Sequence, residues 1–138
     1  FVGPDVDITR MTVLRPGDLL TAIRVPATWA GARFYFEKVR DREVWDFPLV
    51  NVASAIRESG GRIDDARVVV GAVAARPLRL QAVEEALAGQ QLNEETAERA
   101  GELAVEGAEP LRFNAYKVPL MRNLVRRAVR GGPLPATA

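Results

Sequence analysis

The chain has 138 residues, 48% of them apolar and 27% charged, with a formal net charge of +1, which is the size and make-up of one globular domain. It contains neither cysteine nor histidine, so disulfides, thiolate nucleophiles and iron–sulfur ligation by this chain are excluded, and the usual general base and commonest zinc ligand are missing. A charge balance this near neutral sets up no bulk field for nucleic acid or an anionic membrane.

The first stretch, "FVGPDVD", starts with Phe rather than Met and is interrupted by Asp5 and Asp7. No apolar h-region follows, so no signal peptide is read here. The absent initiator Met implies that the chain begins inside a longer one. Pro16-Gly17 marks a turn, and "LLTAIRVP" (residues 19–26) reads as a first strand closed by Pro26, which cannot donate to a ladder. Residues 32–41, "ARFYFEKVRD", make a second, aromatic strand. Residues 48–59 make a third, with Val50, Val52, Ser54 and Ile56 on one face and Asn51, Ala53 and Arg57 on the other. Gly60-Gly61 suits a two-residue hairpin turn that needs positive φ at both positions. It predicts antiparallel pairing of residues 50–58 with 63–70. "ARVVVGAVA" (residues 66–74) reads as a fourth strand covered on both faces, and Pro77 stops the sheet.

The second half reads as helices. Residues 80–88 form the first, with Leu80, Val83, Ala86 and Leu87 as its apolar stripe, Glu84 and Glu85 facing water, and Gly89 at the C-terminal cap. Asn93 is a natural N-cap for the next, with Glu94 and Glu95 in its first turn, where the helix dipole favours anions. That helix runs to about Val105. Asn114 is expected to cap the last helix, whose stripe is Val118, Met121, Leu124, Val125 and Ala128. Arg122, Arg126, Arg127 and Arg130 form its basic face, and Pro119 falls in its first turn. The tail "GGPLPATA" reads as frayed. Strands followed by helices predict an α+β domain: an antiparallel three- to four-stranded sheet with about three helices packed on one face. The other face is then either polar and wet or buried against something outside this chain.

Little here carries chemistry by itself. Neither GxGxxG nor GxxxxGK[ST] occurs, so no phosphate-cradling loop is present. Asp64–Asp65 and Glu84–Glu85 are adjacent pairs that diverge on a strand or helix, and no catalytic or metal-binding residue is assigned. "RDRE" (residues 40–43) reads as a solvated turn with weak ion pairs. Cations near a helix C-terminus are stabilising without a partner, and no stacking aromatics accompany the arginines, so nucleic acid is not expected. No run approaches the ~20 apolar residues of a membrane span. Gly71 in "VVVGAVA" is read as permitting close packing of a helix on the sheet.

Four stretches, "LLTAIRVP", "YFEKVRDR" with "DFPLVNVASAI", "RIDDARVVVGAVAARPLRLQAVEEALAG" and "NAYKVPLMRNLVRRAV", taken in order and spacing, resemble the C-terminal domain of the FAD-binding subunit of molybdenum hydroxylases. That group includes xanthine dehydrogenase, aldehyde oxidoreductase and carbon monoxide dehydrogenase. The resemblance covers residues 19–130 as the domain, with residues 1–18 as the end of a preceding FAD-binding domain and its linker, and 131–138 as a flexible tail. It implies a cytoplasmic oxidoreductase complex in which the intact subunit passes electrons from a [2Fe–2S] partner through FAD to an acceptor. The molybdenum cofactor would sit in a further subunit, and most of the FAD contacts would lie upstream of this chain. The partners implied are thus an iron–sulfur subunit and a molybdenum subunit. By the same resemblance Lys38 lies beside the flavin with Arg42 as its companion arginine. Leu20, with Leu19 as the alternative, touches the ring. It leaves the role of Trp45 open. From the residues alone, Lys38 also fits a solvated strand lysine whose stem lies on Phe36 or Trp45. The competing reading of the whole chain is a non-catalytic α+β interaction module without a cofactor.

Overall fold

The structure is a computed structural model that describes residues 1–132. Its centre is a four-stranded sheet, β1 (Arg33–Arg40), β2 (Pro48–Ser59), β3 (Arg62–Gly71) and β4 (Leu78–Arg79), in that spatial order with antiparallel neighbours throughout. Helices α1 (Gln81–Leu87), α2 (Glu94–Ala104) and α3 (Lys117–Arg130) follow. Helix α3 lies on β2 and β1, α1 lies on β3, and α2 packs over both helices. The result is the α+β architecture expected from the order of elements.

Period-2 alternation builds the buried face. Val50, Val52 and Ile56 of β2 and Ile63, Ala66, Val68 and Val70 of β3 are buried against Leu87 of α1 and Met121, Leu124, Val125, Ala128 and Val129 of α3. A fully buried Val, Leu or Ile is stabilised by about 1.5–3 kcal/mol, so this layer dominates the folding free energy. Gly60 and Gly61 have φ of 55° and 77°, and the hairpin pairs Asn51 with Gly71 through Ser59 with Arg62, as predicted. Asn93 caps α2 by accepting from Thr96 N–H at 2.9 Å. Gly89 takes φ 76° just after α1 and donates its N–H to Ile63 O at 2.8 Å.

Several expectations are corrected. Residues 19–26 form no strand: the segment is extended, exposed and unpaired in the sheet. Its β-favouring residues lack a neighbouring backbone, and the outer position on that side is held by β1. The second edge is instead the two-residue β4, which is too short to leave a period in the sequence. Strand β3 starts earlier than expected, at Arg62, and is covered on one face only, with Arg67, Val69 and Gly71 half-buried on the other. Asn114 does not cap α3, whose N-cap is Tyr116; its side chain accepts from Leu111 N–H at 2.6 Å and closes the preceding turn. Glu84 does not face water. It is 6% exposed, accepting from Val68 N–H at 3.0 Å and from Arg79 Nη2 at 2.6 Å. An orphan strand N–H beside β4 makes a buried carboxylate favourable there. The Arg79 guanidinium pKa is raised, first by its bond to Glu84. Residues 133–138 of the expected tail lie outside the described residues.

The basic face of α3 is engaged internally. Arg126 and Arg130 pair with Glu94 at 2.5 and 3.0 Å, Arg127 with Glu37 at 2.7 Å, and Arg122 with Glu102 at 3.3 Å. These pairs tie α3 to α2 and β1. Among the described residues no helix is long and apolar enough to cross a membrane.

Candidate functional site

The sheet face opposite the helices carries the site. Register fixes its rows: Phe34–Ala55–Arg67, Phe36–Ala53–Val69 and Lys38–Asn51–Gly71 lie side by side across β1, β2 and β3. Phe34 and Phe36 are 63% and 66% exposed. The face is therefore mixed: exposed aromatics on β1 stand beside Lys38, Asn51 and Arg67, and Phe1 and Met11 border a cavity with Asn51, Ala53, Val69 and Gly71. At one end Trp29, from a 3-10 turn (Ala27–Trp29), lies under Arg67 and Arg57, whose guanidinium carbons stand 5.0 and 5.6 Å from the ring centroid. Such contacts are worth roughly 0.5–1 kcal/mol at exposed sites. They seat residues 27–29 on the sheet without filling the middle of the face.

The Lys38 end is shaped by the turn between β1 and β2. Asp46 organises it: its carboxylate accepts from Asp41 N–H at 3.0 Å, Arg42 N–H at 2.6 Å and Arg42 Nη2 at 3.3 Å. These bonds hold the Asp46 carboxyl below the usual carboxylate range, the Arg42 N–H first, against an opposing cost of desolvation. Arg42 also donates to Trp45 O, and Arg40 to Glu43 O. Trp45 sits at φ 52°, in the left-handed region that a bulky residue adopts only under constraint. It is 94% exposed and Phe47 is 87% exposed. Lys38, Arg40, Trp45, Asp46 and Phe47 line a shallow cavity of about 340 Å³.

Lys38 stands where the alternation places it, exposed on the open face. Its ammonium donates to the backbone carbonyl of Asp46 at 2.5 Å and makes no ion pair among the described residues. Arg42 reaches the same turn. Leu20 is exposed in the extended segment and is not among the residues that line the Lys38 cavity. Lys38 and Arg42 thus meet at Asp46, and Leu20 makes no hydrogen bond or cavity contact that joins it to them. Gly71 belongs to this face as well. A Cβ there would stand 2.3 Å from Asn51 Oδ1, so its smallness makes room for the Asn51 side chain and not for a helix. Asp46 was missed in the sequence. Only its spacing, four residues after Arg42 in a short turn, hints at it.

Residues 34–131 match the family described as CO dehydrogenase flavoprotein C-terminal domain. The chain belongs to this family. It is 31% identical over 125 residues to the carbon monoxide dehydrogenase medium chain of Hydrogenophaga pseudoflava, covering 88% of this chain and 43% of that one. It is 32% identical over 111 residues to the aldehyde oxidoreductase FAD-binding subunit of Escherichia coli strain K12, covering 80% of this chain and 31% of that subunit. Among solved structures, a chain of the Hydrogenophaga pseudoflava carbon monoxide dehydrogenase that lacks the Mo-pyranopterin moiety superposes with a TM-score of 0.76 at 32% identity, over 86% of this chain and 42% of that one. The chain therefore spans less than half the length of these relatives. The match begins at β1, where the open-face row of Phe34, Phe36 and Lys38 begins.

Proposed function

We propose that this chain is the C-terminal portion of an FAD-binding oxidoreductase subunit whose open sheet face forms one wall of the flavin site. The intact subunit would relay electrons from a [2Fe–2S] partner through FAD to an acceptor, within a complex whose molybdenum cofactor sits in another subunit. The observation that carries this reading is the family membership, over a segment that includes the whole open face. Residues 1–18 then end a preceding domain and link it to this one, and the domain proper runs over residues 19–130.

The residues present fit part of such a cofactor. An exposed apolar row with one unpaired ammonium beside a shallow cavity suits the edge of a flat, electron-rich ring bearing carbonyl groups. Among the described residues nothing comparable suits a pyrophosphate, which calls for a glycine-rich loop or free helix N–H groups. FAD supplies the two-electron store. Lys38 would hold positive charge beside the ring, Phe34 and Phe36 would exclude water from that side, and Leu20 would reach the ring from the extended segment. The α+β module without a cofactor remains the competing function, and one experiment separates the two. The full-length subunit is purified with its co-purifying chains and its absorption spectrum recorded. A flavin spectrum at near-stoichiometric occupancy supports the proposal; a colourless subunit with no releasable FAD overturns it.

A further inference from the structure

We propose that Asp46 is the positioning residue for Lys38, holding the ammonium at a fixed place on the open face. This deepens the reading of Lys38 as a residue beside the flavin and rests on it. A lysine on an exposed strand has a long flexible stem with high side-chain conformational entropy. Left to itself it would sample many rotamers over Phe36 and Trp45. The structure instead gives its ammonium a specific acceptor, the Asp46 carbonyl at 2.5 Å, which favours one placement.

That carbonyl lies eight residues along the chain, and it is in reach only because the turn is closed. The closing bonds belong to the Asp46 side chain, which is 13% exposed although almost every neighbour in the turn is exposed. One residue therefore does two jobs. Its carboxylate gathers Asp41 and Arg42 beneath it, and its backbone oxygen fixes Lys38 above. Lysine has three donors and this bond uses one. The other two stay free on the cavity side chain, available to an acceptor on a bound ring. The groups facing the ammonium beyond this bond are the Arg40 side chain, Trp45 and Phe47. The one anion lining the cavity is Asp46 itself, whose carboxylate is turned to Asp41 N–H, Arg42 N–H and the Arg42 guanidinium, so the ammonium meets the carbonyl of that residue and forms no ion pair with its side chain.

The test uses the full-length flavin-loaded subunit and four variants: Lys38→Ala, Asp46→Ala, Asp46→Asn and the double variant Lys38→Ala/Asp46→Ala. Flavin midpoint potential and FAD occupancy are read for each, with circular dichroism to confirm folding. Lys38→Ala lowers the midpoint. Both Asp46 variants also remove a negative charge, which by itself raises the midpoint, so the positioning effect is read between them: Asp46→Asn keeps an acceptor oxygen for the two N–H groups, and Asp46→Ala lies below it by at least half of the Lys38→Ala shift. The double variant lies above Lys38→Ala only by the rise that Asp46→Asn shows over wild type, because two residues that act through one ammonium are not additive. If Lys38→Ala shifts the midpoint while Asp46→Ala and Asp46→Asn, folded and loaded, give the same midpoint, or if the Lys38 and Asp46→Ala effects add, the positioning role is overturned and the reading of Lys38 stands. If Lys38→Ala itself leaves the midpoint unchanged, the reading of Lys38 falls and the positioning proposal falls with it.

Discussion

At the scale of single residues, the side chains that matter are those whose environment differs from what their type implies. Lys38 is exposed, with its ammonium on the Asp46 carbonyl, and under the proposed function its effect on a flavin ring would be set by screening. A unit charge pair at 4 Å is worth about 4 kcal/mol at an effective dielectric near 20, and an open face reduces this to roughly 1–2 kcal/mol between the oxidised and the more negative reduced cofactor. A two-electron couple moves ~30 mV per ~1.4 kcal/mol, so Lys38→Ala should lower the flavin midpoint by roughly 20–45 mV with modest loss of FAD; a redox titration reads it, and an unchanged or higher value would mark Lys38 as a surface lysine. Tyr35, on the helix side of the same strand, is perturbed for a different reason. Burial against α3 pushes its phenol up to about 12, helped by its hydrogen bond to Glu37 at 2.5 Å. A group whose folded pKa is raised contributes stability that is complete below its unfolded value near 10 and lost as pH climbs from there to about 12. Tyr116→Phe leaves Tyr35 as the only tyrosine, the chain having two. Its phenolate absorbance should then rise with a midpoint near 12 while circular dichroism stays native; a midpoint near 10 in folded protein would show that Tyr35 is neither buried against α3 nor bonded to Glu37. Part of this scale was legible. The aromatic strand itself was; that Phe34, Phe36 and Lys38 share the open face and Tyr35 and Glu37 the helix side is what the structure adds. Glu84 was not legible, because a glutamate on a short helix reads as solvated until the orphan N–H of Val68 is seen above it.

At the scale of elements, the parts read correctly were those with a long period or a strong cap. β2, the Gly60-Gly61 hairpin and the Asn93 cap each announce themselves locally, whereas β3 was recognised as a strand with its bounds and its coverage misread. The segment at residues 19–26 has comparable composition and forms no strand, because strand propensity expresses a fit to neighbouring strands and is not a property of the segment alone. The match of α2 to α3 was also invisible in sequence, and it turns on Gly101. A Cβ at this position would stand 2.8 Å from the backbone carbonyl of Arg122. Glycine costs a helix about 1 kcal/mol relative to alanine, so in isolation Gly101→Ala should stabilise α2. The collision is with backbone, which cannot swing aside, and overpacking of a close interface costs about 1–3 kcal/mol. The second effect wins. Gly101→Ala should lower the denaturant midpoint by an amount equivalent to roughly 1 kcal/mol net, the overpacking cost less the helix gain. A rise in midpoint would show that α2 and α3 sit further apart.

At the scale of the whole molecule, the helices cover one face of the sheet and leave the other to exposed aromatics and a few charged side chains. Arg57 and Arg67 on that face are paired with Asp65 and stacked on Trp29, so it offers stacking and exclusion of water but little free charge beyond Lys38. For FAD this sets a ceiling. Aromatic stacking contributes about 1–3 kcal/mol per ring, and one ammonium on an exposed face adds about as much as a charged hydrogen bond, ~1.5–3 kcal/mol. Micromolar binding requires about 8 kcal/mol in total, after the cost of lost translational and rotational freedom. The remainder would have to come from the pyrophosphate, and the helix N-termini are poorly suited to it. Helix α2 opens with Glu94 and Glu95, which repel an anion, and its Thr96 N–H is already taken by Asn93. Helix α1 has Glu84 in its first turn. Helix α3 starts from Tyr116 with Pro119 removing one of the free N–H donors. Residues 1–138 alone should therefore fold, with a cooperative transition, and bind FAD more weakly than micromolar. Isothermal titration or flavin fluorescence quenching measures this directly. A sub-micromolar dissociation constant for this chain by itself would mean that the open face holds the whole cofactor and not one wall of its site, and the division of labour between this chain and the rest of the subunit would have to be redrawn.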